Sequence, residues 1–423
     1  MKIFRSIFHY FSGCVIWMKS APFTLFFLLQ RLFFHRKILI FDSQDKLFIQ
    51  FFSPVIDLIE RDPRYRNVSI YFTSNENSSL GYIKSITTLL SFRNGIFIQN
   101  ELFKYAYGFD LYITAHFYSQ VKDPTRSVLI QHNLPVKYLY PPLKFIRNSR
   151  IQFITGELHM KQFKDAITYY HIDPDFFSIY EIGFPKLDNV LSDKIQKTEL
   201  LKLRNFSLSK KTILYAPSWD EGLSLKRFGV QIINTLMKLS DEFNIIIRPH
   251  PVLLTREGSG EFEFYTGGID WLTLLNKYKN VNNLYISTDL DSNFDLVCAD
   301  LLISDVSSIT WDFLLLGKPV LLFSSDEYFS KINPTLYREY GNTNLSLDEL
   351  KNNELINGGR KYAVLFNNLE ELELKVYEIL NNLDRFQIDQ MSLRHQLVYN
   401  PGHAAPRFLD VISKYLFGPV EDS

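Results

Sequence analysis

The stretch from Ala299 to Ser324 sets the strictest limit on what this chain can fold into. An apolar run at 301–303 meets a polar turn, after which apolar residues recur at helical spacing as far as Gly317. A second apolar run follows at 320–323. This order predicts strand, helix and strand. Two buried strands joined through a helix are typical of a parallel sheet, so the stretch predicts a βαβ unit.

The same alternation of strand and helix patterns recurs on both sides of a polar, charged stretch at 192–205. A chain of 423 residues is too long for one ordinary core. We therefore predict an α/β fold in which two doubly wound, Rossmann-like domains face each other across a cleft. The predicted division is an amino-terminal segment at 1–36, a first domain at 37–195 and a second domain at 196–423.

The amino-terminal segment is basic and apolar, since residues 1–41 hold six Lys or Arg and no Asp or Glu. Lys19 and Pro22 divide its apolar run, which is then shorter than the roughly 20 residues of a spanning helix. No small-residue cleavage site of a secretory signal follows it. We predict an amphipathic segment lying on the anionic inner leaflet of a membrane. A helical hairpin packed on protein and a single spanning helix are the alternatives.

Composition narrows the classes of partner and cofactor. The 46 basic and 46 acidic residues balance, which does not favour a nucleic acid as partner. Cys14 and Cys298 lie far apart in the sequence, as expected for two reduced thiols. No cluster of His, Cys and Asp has the spacing of metal ligands, so we expect neither a metal nor another cofactor.

Two histidines stand where predicted strands end, the position at which a doubly wound fold binds its ligands. His132 follows the strand pattern at 128–130 and begins the run His132 to Lys137. It has the chemistry of a general base, although a hydrogen-bonded loop histidine is the simpler interpretation. His250 lies between two prolines and two residues after Arg248, so it is rigidly directed. It suits a phosphate or a leaving group, and the alternative is a capping histidine in a turn.

Hydroxyl and carboxylate groups stand at two further strand ends. Asp305, Ser307 and Ser308 lie where the βαβ helix begins, with Asp312 one turn later. Unpaired backbone N–H groups and the helix dipole favour an anion there, phosphate above all. Asp305 is also well placed to cap the helix. Ser218 and Trp219 end the first strand of the second domain, and His403 and Arg407 lie near the carboxyl end.

Taken in order, these clusters resemble the CDP-glycerol glycerophosphotransferases, the teichoic-acid primases and polymerases of glycosyltransferase-B architecture. The family motifs W-H-G-T-P-x-K, G-Y-P-x-x-D, Y-A-P-T-W, R-x-H-P, D-x-S-S-x-x-x-D-F and D-G-x-A-x-x-R are matched, in that order, by residues 131–137, 183–188, 215–219, 248–251, 305–313 and 401–407. The resemblance spans roughly residues 110 to 410. The chain departs from it at Gln131, Asn133 and Pro401, where the family has Trp, Gly and an acidic residue.

The resemblance implies a transferase that moves a polyol phosphate from a CDP-activated donor to a hydroxyl of a lipid-linked or polymeric glycan, releasing CMP. It implies that the first domain serves the acceptor and the second the donor nucleotide. His132 and His250 are then the catalytic candidates. The donor candidates are Arg248, Ser218, Asp305, Ser307, Ser308 and Asp312, and Lys137, Trp219, His403 and Arg407 are candidates for lining the cleft.

Two other functions share these residues. A glycosyltransferase that uses a nucleotide sugar in capsule or lipopolysaccharide synthesis needs the same anion site for its diphosphate. A non-catalytic assembly protein would retain the fold without the reaction. For the enzyme, the predicted location is the cytoplasmic face of the cell membrane, as a peripheral protein.

Overall fold

The computed structural model of this chain describes residues 20–42, 49–73, 95–97, 105–115, 121–134, 143–255, 261–289, 291–331, 346–354, 356–386 and 390–418. The chain divides into two compact units. Unit 1 comprises Met1–His132, Pro141–Ser192 and Val398–Ser423, and unit 2 comprises Asn133–Tyr140 and Asp193–Leu397.

Each unit is built on one parallel sheet. The strands are β1 Lys37–Asp42, β2 Val68–Thr73, β3 Gly95–Phe97, β4 Leu111–Thr114, β5 Ser127–Ile130, β6 Ile151–Ile154, β7 Ser178–Glu181, β8 Thr212–Ala216, β9 Asn244–Ile247, β10 Leu284–Ile286, β11 Leu301–Ser304, β12 Val320–Phe323 and β13 Val364–Phe366. Among the described residues, the order is β3-β2-β1-β4-β5-β6-β7 in unit 1 and β10-β9-β8-β11-β12-β13 in unit 2. The predicted α/β class with two parallel sheets is confirmed.

Helices connect most of these strands. They are α1 at 20–34, α2 Ile49–Arg61, α3 Leu143–Ile146, α4 Glu157–Tyr169, α5 Asp188–Leu191, α6 Lys197–Leu203, α7 Ser224–Phe228, α8 Val230–Leu239, α9 Phe262–Thr266, α10 Trp271–Asn276, α11 Asn293–Cys298, α12 Ser308–Leu314, α13 Asp326–Lys331, α14 Leu347–Asn352, α15 Leu369–Asn381, α16 Gln390–Leu397 and α17 Ala404–Phe417. The predicted strand, helix and strand of the opening stretch are β11, α12 and β12. The sequence pattern also predicts a helix at 80–91, and these residues lie outside the described part of the chain.

The last helix, α17, belongs to unit 1, which corrects the predicted second domain at 196–423. The ring of Phe408 packs edge-on against that of Phe153 with centroids 4.9 Å apart. The Ser413 hydroxyl bonds the buried Tyr65 hydroxyl at 2.9 Å. The carboxyl-terminal helix returns to unit 1 through contacts between residues far apart in the sequence. The order of strand and helix patterns along the sequence does not reveal such contacts.

Helix α1 packs one side on unit 1 and exposes the other. Phe27 is fully buried in a cluster with Ile38, Tyr71 and Phe109. Leu25, Phe26, Leu28, Leu29, Leu32, Phe33 and Phe34 are exposed large apolar side chains of this helix. Among the described residues, no helix is long and apolar enough to span a membrane.

The strand order reverses once in each sheet, between β1 and β4 in unit 1 and between β8 and β11 in unit 2. In unit 2, Ile303 and Ser304 pair with Tyr215 and Ala216. The loops that leave adjacent strands at such a point diverge to opposite faces of the sheet, which opens a crevice beyond the carboxyl ends. The two reversal points therefore locate the candidate ligand positions of each unit.

Candidate functional site

The carboxylate of Asp305 joins the two loops that leave the reversal point of unit 2. Its Oδ2 accepts a hydrogen bond from the backbone N–H of Ser218 at 3.1 Å, and its Oδ1 accepts one from the N–H of Ser224 at 2.9 Å. The side chain is fully buried. Burial raises the pKa of Asp305 to about 6, and the backbone bonds to Ser224 and Ser218 oppose that rise.

Asp305 is therefore a support of the loop at 218–224. The sequence alone leaves two roles open for Asp305, a helix cap and a ligand of the donor. Both carboxylate oxygens are occupied by backbone N–H groups from another segment, and no surface of the side chain is accessible. The Tyr215 hydroxyl bonds the Ser224 hydroxyl at 3.0 Å and strengthens the same loop.

Ser307 and Ser308 lie at the start of α12, beside this loop. Ser307 is the N-cap residue in extended backbone geometry, and its side chain makes no capping bond. Both serines are half-buried. Within the described part of the chain, both hydroxyls and the N–H groups of Ser308 and Ile309 are left for an acceptor such as a phosphate oxygen, whereas the N–H of Thr310 donates to the Ser307 carbonyl oxygen at 3.3 Å. Asp312 is buried on α12 and faces the interior.

A loop that the motifs did not indicate packs on the same serines. A Cβ at Gly358, where φ is +64°, would lie 2.9 Å from the Cα of Val306 and 3.3 Å from the nitrogen of Ser307. Only glycine allows this approach of the two backbones. The dipeptide Gly358-Gly359 is a turn signal that could have drawn attention to the loop, but nothing in the sequence links it to Ser307.

His250 follows β9 and caps the short 3-10 helix Pro251–Leu254. Its Nδ1 accepts a bond from the backbone N–H of Val252 at 3.4 Å. A backbone N–H only donates, so this contact places the proton of the neutral imidazole on Nε2. The half-buried ring thus carries a hydrogen-bond donor on Nε2, as a ligand of a phosphate oxygen requires.

Arg248 makes contacts that differ from the predicted phosphate ligation. Its Nη1 bonds the buried carboxylate of Asp295 at 2.8 Å and the Ser287 hydroxyl at 3.1 Å. Its Nη2 donates to the carbonyl oxygen of Asp289 at 2.7 Å. Both terminal nitrogens of the guanidinium group thus donate to oxygen atoms of the protein itself.

Ser218 and Trp219 follow the carboxyl end of β8, as predicted. Ser218 is buried, and its N–H is the donor to Asp305. The half-buried Trp219 ring lies 5.5 Å from that of Phe264 and 5.1 Å from that of Tyr265. Phe264 is 63% exposed, so the three rings form an aromatic surface at one side of the loop that Asp305 supports.

In unit 1, His132 follows β5, the strand that pairs with β4. Its Nδ1 is 3.1 Å from the carbonyl oxygen of Ala115, the residue that follows β4. A carbonyl oxygen only accepts, so Nδ1 carries the proton and Nε2 of the neutral ring has the lone pair. This is the tautomer that a general base needs. The ring also meets Phe51 edge-on at 6.4 Å.

The residue before His132, Gln131, forms a buried pair with His159, and their side chains approach to 2.7 Å. Burial lowers the pKa of His159 to about 3, so this histidine is neutral at physiological pH. The side chain of Gln131 is therefore held in a buried polar contact.

The carboxyl-terminal motif has a structural role at its start. The buried carboxylate of Asp188 accepts the N–H groups of Ala404 and Ala405, at 3.0 and 2.6 Å, and so caps α17. His403 and Arg407 are exposed on the same helix start in unit 1. Lys137 lies outside the described residues. No group of three or more His, Cys, Asp or Glu among the described residues is arranged to hold a metal.

The chain matches a known family over residues 159–344, the CDP-Glycerol:Poly(glycerophosphate) glycerophosphotransferases. It is 28% identical over 167 residues to the teichoic acid glycerol-phosphate transferase of Staphylococcus aureus, which is 37% of this chain and 37% of that protein. It is 29% identical over 157 residues to the teichoic acid poly(glycerol phosphate) polymerase of Bacillus subtilis, which is 35% of this chain and 19% of that protein. These matches thus span between a fifth and two fifths of the relatives' length.

Solved structures share the fold. The wall teichoic acid polymerase TagF superposes with a TM-score of 0.65 at 16% identity, over 98% of this chain and 97% of that one. A putative UDP-N-acetylglucosamine 2-epimerase from Listeria monocytogenes gives a TM-score of 0.51 at 13% identity, over 91% and 98%. At these identities the superpositions show a common fold and no more. The resemblance that the motifs indicated is confirmed as a match: residues 159–344 of this chain fit the model of the CDP-glycerol glycerophosphotransferase family, and its curated relatives are teichoic acid glycerol-phosphate transferases and polymerases.

Proposed function

We propose that this protein transfers glycerol phosphate, or a similar polyol phosphate, from a CDP-activated donor to a hydroxyl of a lipid-linked or polymeric cell-surface glycan. The acceptor oxygen attacks the phosphorus atom that carries the polyol. The proton of the acceptor hydroxyl passes to a base, and the bond from that phosphorus to the CMP oxygen breaks. CMP is the only other product. The observation that carries the proposal is the arrangement around Asp305, which holds the Ser218 loop beside Ser307 and Ser308 at the reversal point of unit 2.

Unit 2 supplies the donor side in this proposal. The hydroxyls of Ser307 and Ser308 and the N–H groups of α12 bind the diphosphate. His250 donates from Nε2 to the phosphate that leaves with CMP, which offsets its growing negative charge. Arg248, Asp305 and Asp312 act by holding this surface in place. Phosphoryl transfer depends mainly on positioning and charge, so no covalent nucleophile is required.

Unit 1 supplies the base. The bond from Nδ1 of His132 to the Ala115 carbonyl oxygen supports a role for Nε2 in accepting the proton of the acceptor hydroxyl. Lys137, Trp219, His403 and Arg407 stay proposals for contacts with the substrates.

The test is product analysis with the purified protein. CDP-glycerol and a set of nucleotide sugars are supplied with a lipid-linked glycan acceptor, and the release of CMP and UDP is measured. Release of CMP that depends on the acceptor and on His132 is expected. Release of UDP alone would assign the protein to the glycosyltransferases, and activity unchanged in a His250→Ala variant would contradict the proposed donor site.

We further propose that segment 1–36 holds the protein on the cytoplasmic face of an anionic membrane. The support comes from α1, where Leu32, Phe33 and Phe34 are 69%, 71% and 69% exposed while Phe27 anchors the helix to unit 1. Beside them, the single carboxylate of Asp110 is shared by three cations, Arg31 at 3.5 Å, Lys37 at 3.7 Å and Arg126 at 4.0 Å. An apolar surface bordered by excess positive charge suits acidic lipid headgroups.

Vesicle sedimentation tests this attachment. The protein is expected to bind phosphatidylglycerol vesicles more strongly than phosphatidylcholine vesicles, and Leu32→Ser with Phe33→Ser is expected to abolish binding. Leu203→Ser is the matched control, because Leu203 is 79% exposed but lies in unit 2. Equal loss in both variants, or equal binding to both lipids, would overturn the proposal.

A further inference from the structure

Asp295 is a buried carboxylate that joins three polar side chains of unit 2. It lies on α11 and is fully buried. Its Oδ2 accepts hydrogen bonds from Nη1 of Arg248 at 2.8 Å and from the Ser287 hydroxyl at 2.5 Å. Its Oδ1 accepts a bond from Nη2 of Arg204 at 3.0 Å. Every oxygen of this carboxylate is therefore used to orient a neighbour.

The charges of this network balance without a ligand. Arg204 also pairs with the carboxylate of Asp289 at 3.3 Å and stacks over the Tyr285 ring at 4.8 Å. Two guanidinium groups thus meet two carboxylates. The positive charge of Arg248 is compensated by Asp295 before any phosphate arrives, and its two terminal nitrogens already donate to protein oxygens. Binding a phosphate bidentately would require breaking these bonds.

The network is connected to His250 through a short, stiff piece of chain. The backbone N–H of Arg248 donates to the carbonyl oxygen of Tyr215 at 2.8 Å, which continues the pairing of β9 with β8. Pro249 is buried and Pro251 begins the 3-10 helix that His250 caps. Proline fixes φ at 249 and at 251, and Nδ1 of His250 accepts the N–H of Val252, so few free torsions separate the position of Arg248 from the direction of the imidazole.

We infer that Asp295 is a positioning residue for His250, acting through Arg248, and that Arg248 serves as the link rather than as a donor-phosphate ligand. This inference rests on the proposed function only for its kinetic consequence. The orientation of the His250 ring is a property of the protein without substrate, so it is testable even if the proposed reaction is wrong.

The experiment compares Asp295→Asn, Arg248→Lys and the milder Ser287→Ala with a matched control, Asp300→Asn. Asp300 is a carboxylate of the same unit that accepts bonds from Lys197 and from the N–H of Thr212, outside the network. Three quantities are measured: kcat and KM for CDP-glycerol, the affinity for CDP, and the imidazole NMR signal of His250, assigned with His250→Gln.

We expect Asp295→Asn and Arg248→Lys to shift the His250 signal and to lower kcat about 10- to 100-fold, with the affinity for CDP changed less than about threefold. Ser287→Ala is expected to give a smaller shift in the same direction. This variant carries the test if the larger changes prevent folding. Asp300→Asn should lower the melting temperature without moving the His250 signal. An unmoved signal in Ser287→Ala and Arg248→Lys, or a loss of CDP affinity in Arg248→Lys alone, would overturn the inference. Absence of CMP release in the wild type would refute the proposed function and leave the NMR test valid.

Discussion

Asp305 accepts the backbone N–H of Ser218 at 3.1 Å across the point where the strand order of unit 2 reverses. The bond connects the residue after β11 to the loop after β8, two segments that the sheet alone leaves free to diverge. A second bond, to the N–H of Ser224, fixes the other end of that loop. One carboxylate thus determines the shape of the surface beside Ser307.

Replacing Asp305 by Asn should weaken donor binding and leave the free energy of unfolding almost unchanged. The amide keeps the shape but presents an NH2 group to one of the two backbone N–H groups, so one bond is lost. A hydrogen bond to a charged acceptor contributes about 1.5–3 kcal/mol, which predicts a rise of about 10-fold or more in the dissociation constant for CDP-glycerol. The free energy of unfolding should change little, because the variant also removes a buried charge. Calorimetric titration and urea unfolding measure the two effects, and an unchanged donor affinity would contradict this role.

The same residue predicts two opposite trends with pH. The pKa of Asp305 is raised from 3.8 to about 6, so between these pH values the native state holds a proton that the unfolded state has released. The contribution of Asp305 to the free energy of unfolding therefore falls as pH rises from about 4 to 6. Donor affinity should rise over the upper part of this range, because the ionised carboxylate is the stronger acceptor. Both trends should be absent in Asp305→Asn, and their persistence would assign them to another group.

The tautomer of His132 predicts which substitution preserves its surroundings. Asn places an amide N–H where Nδ1 stands, so His132→Asn should retain the bond to the Ala115 carbonyl oxygen while it removes the basic Nε2. Loss of a general base is expected to lower kcat about 100- to 10,000-fold. The affinity for CDP should stay unchanged, since the proposed donor residues belong to unit 2. His171→Asn, at an exposed position of unit 1, is the control. A kcat within tenfold of the wild type would exclude His132 as the base.

Gly183, the first residue of the G-F-P-K-L-D motif, is predicted to be essential for folding rather than for catalysis. Its φ is +100°, and a Cβ there would lie 2.0 Å from the carbonyl oxygen of Tyr399. Gly183→Ala should therefore destabilise the protein by about 3 kcal/mol or more, from backbone strain and steric overlap together. Gly418→Ala isolates the strain, because φ is +89° and no atom of the described residues, chain neighbours apart, lies within 4 Å of the added Cβ, and it should cost about 1 kcal/mol. Equal unfolding free energies for the two variants would refute the steric argument.

The sequence predicts the parts of this fold that depend on local pattern. The apolar runs at 212–216 and 320–323 are strands β8 and β12 with those bounds. The residues after β8, β9 and β11 were identified as site candidates because a parallel sheet gathers the carboxyl ends of its strands at one edge. The short strand Val364–Phe366 was missed, since three residues carry too little periodicity to distinguish from a loop.

Contacts between distant segments were not predictable in the same way. Asp188 and Ala404 are far apart in the sequence, and only the folded chain shows that the acidic end of one motif caps the helix of another. Asp295 carries no motif at all, yet it is the centre of the ion network behind His250. Arg248 was assigned to phosphate because an arginine beside a histidine suggests anion binding. Its bond to the buried carboxylate of Asp295, supplied from α11, is visible only in the folded chain.

Lys318 offers a prediction with the opposite pH dependence. Its Nζ donates to the carbonyl oxygens of Leu296, Val297 and Ala299, at 3.2, 3.1 and 2.7 Å, at the carboxyl end of α11. Burial lowers the pKa of Lys318 from 10.5 to about 8, so between these pH values the unfolded state holds a proton that the native state has released. Its contribution to the free energy of unfolding should therefore rise with pH from about 8 to 10.5, by up to about 3 kcal/mol.

This contribution is measured as the difference in unfolding free energy between the wild type and Lys318→Met, recorded from pH 7 to pH 10. The difference should shift in favour of the wild type as pH rises, because the methionine variant lacks the buried proton site while other groups titrate alike in both proteins. Lys161→Met, which removes an exposed lysine paired with Asp165, should give a difference that stays flat over this range. A flat difference for Lys318→Met as well would show that its three carbonyl partners replace water fully around the ammonium group, so that burial does not lower its pKa.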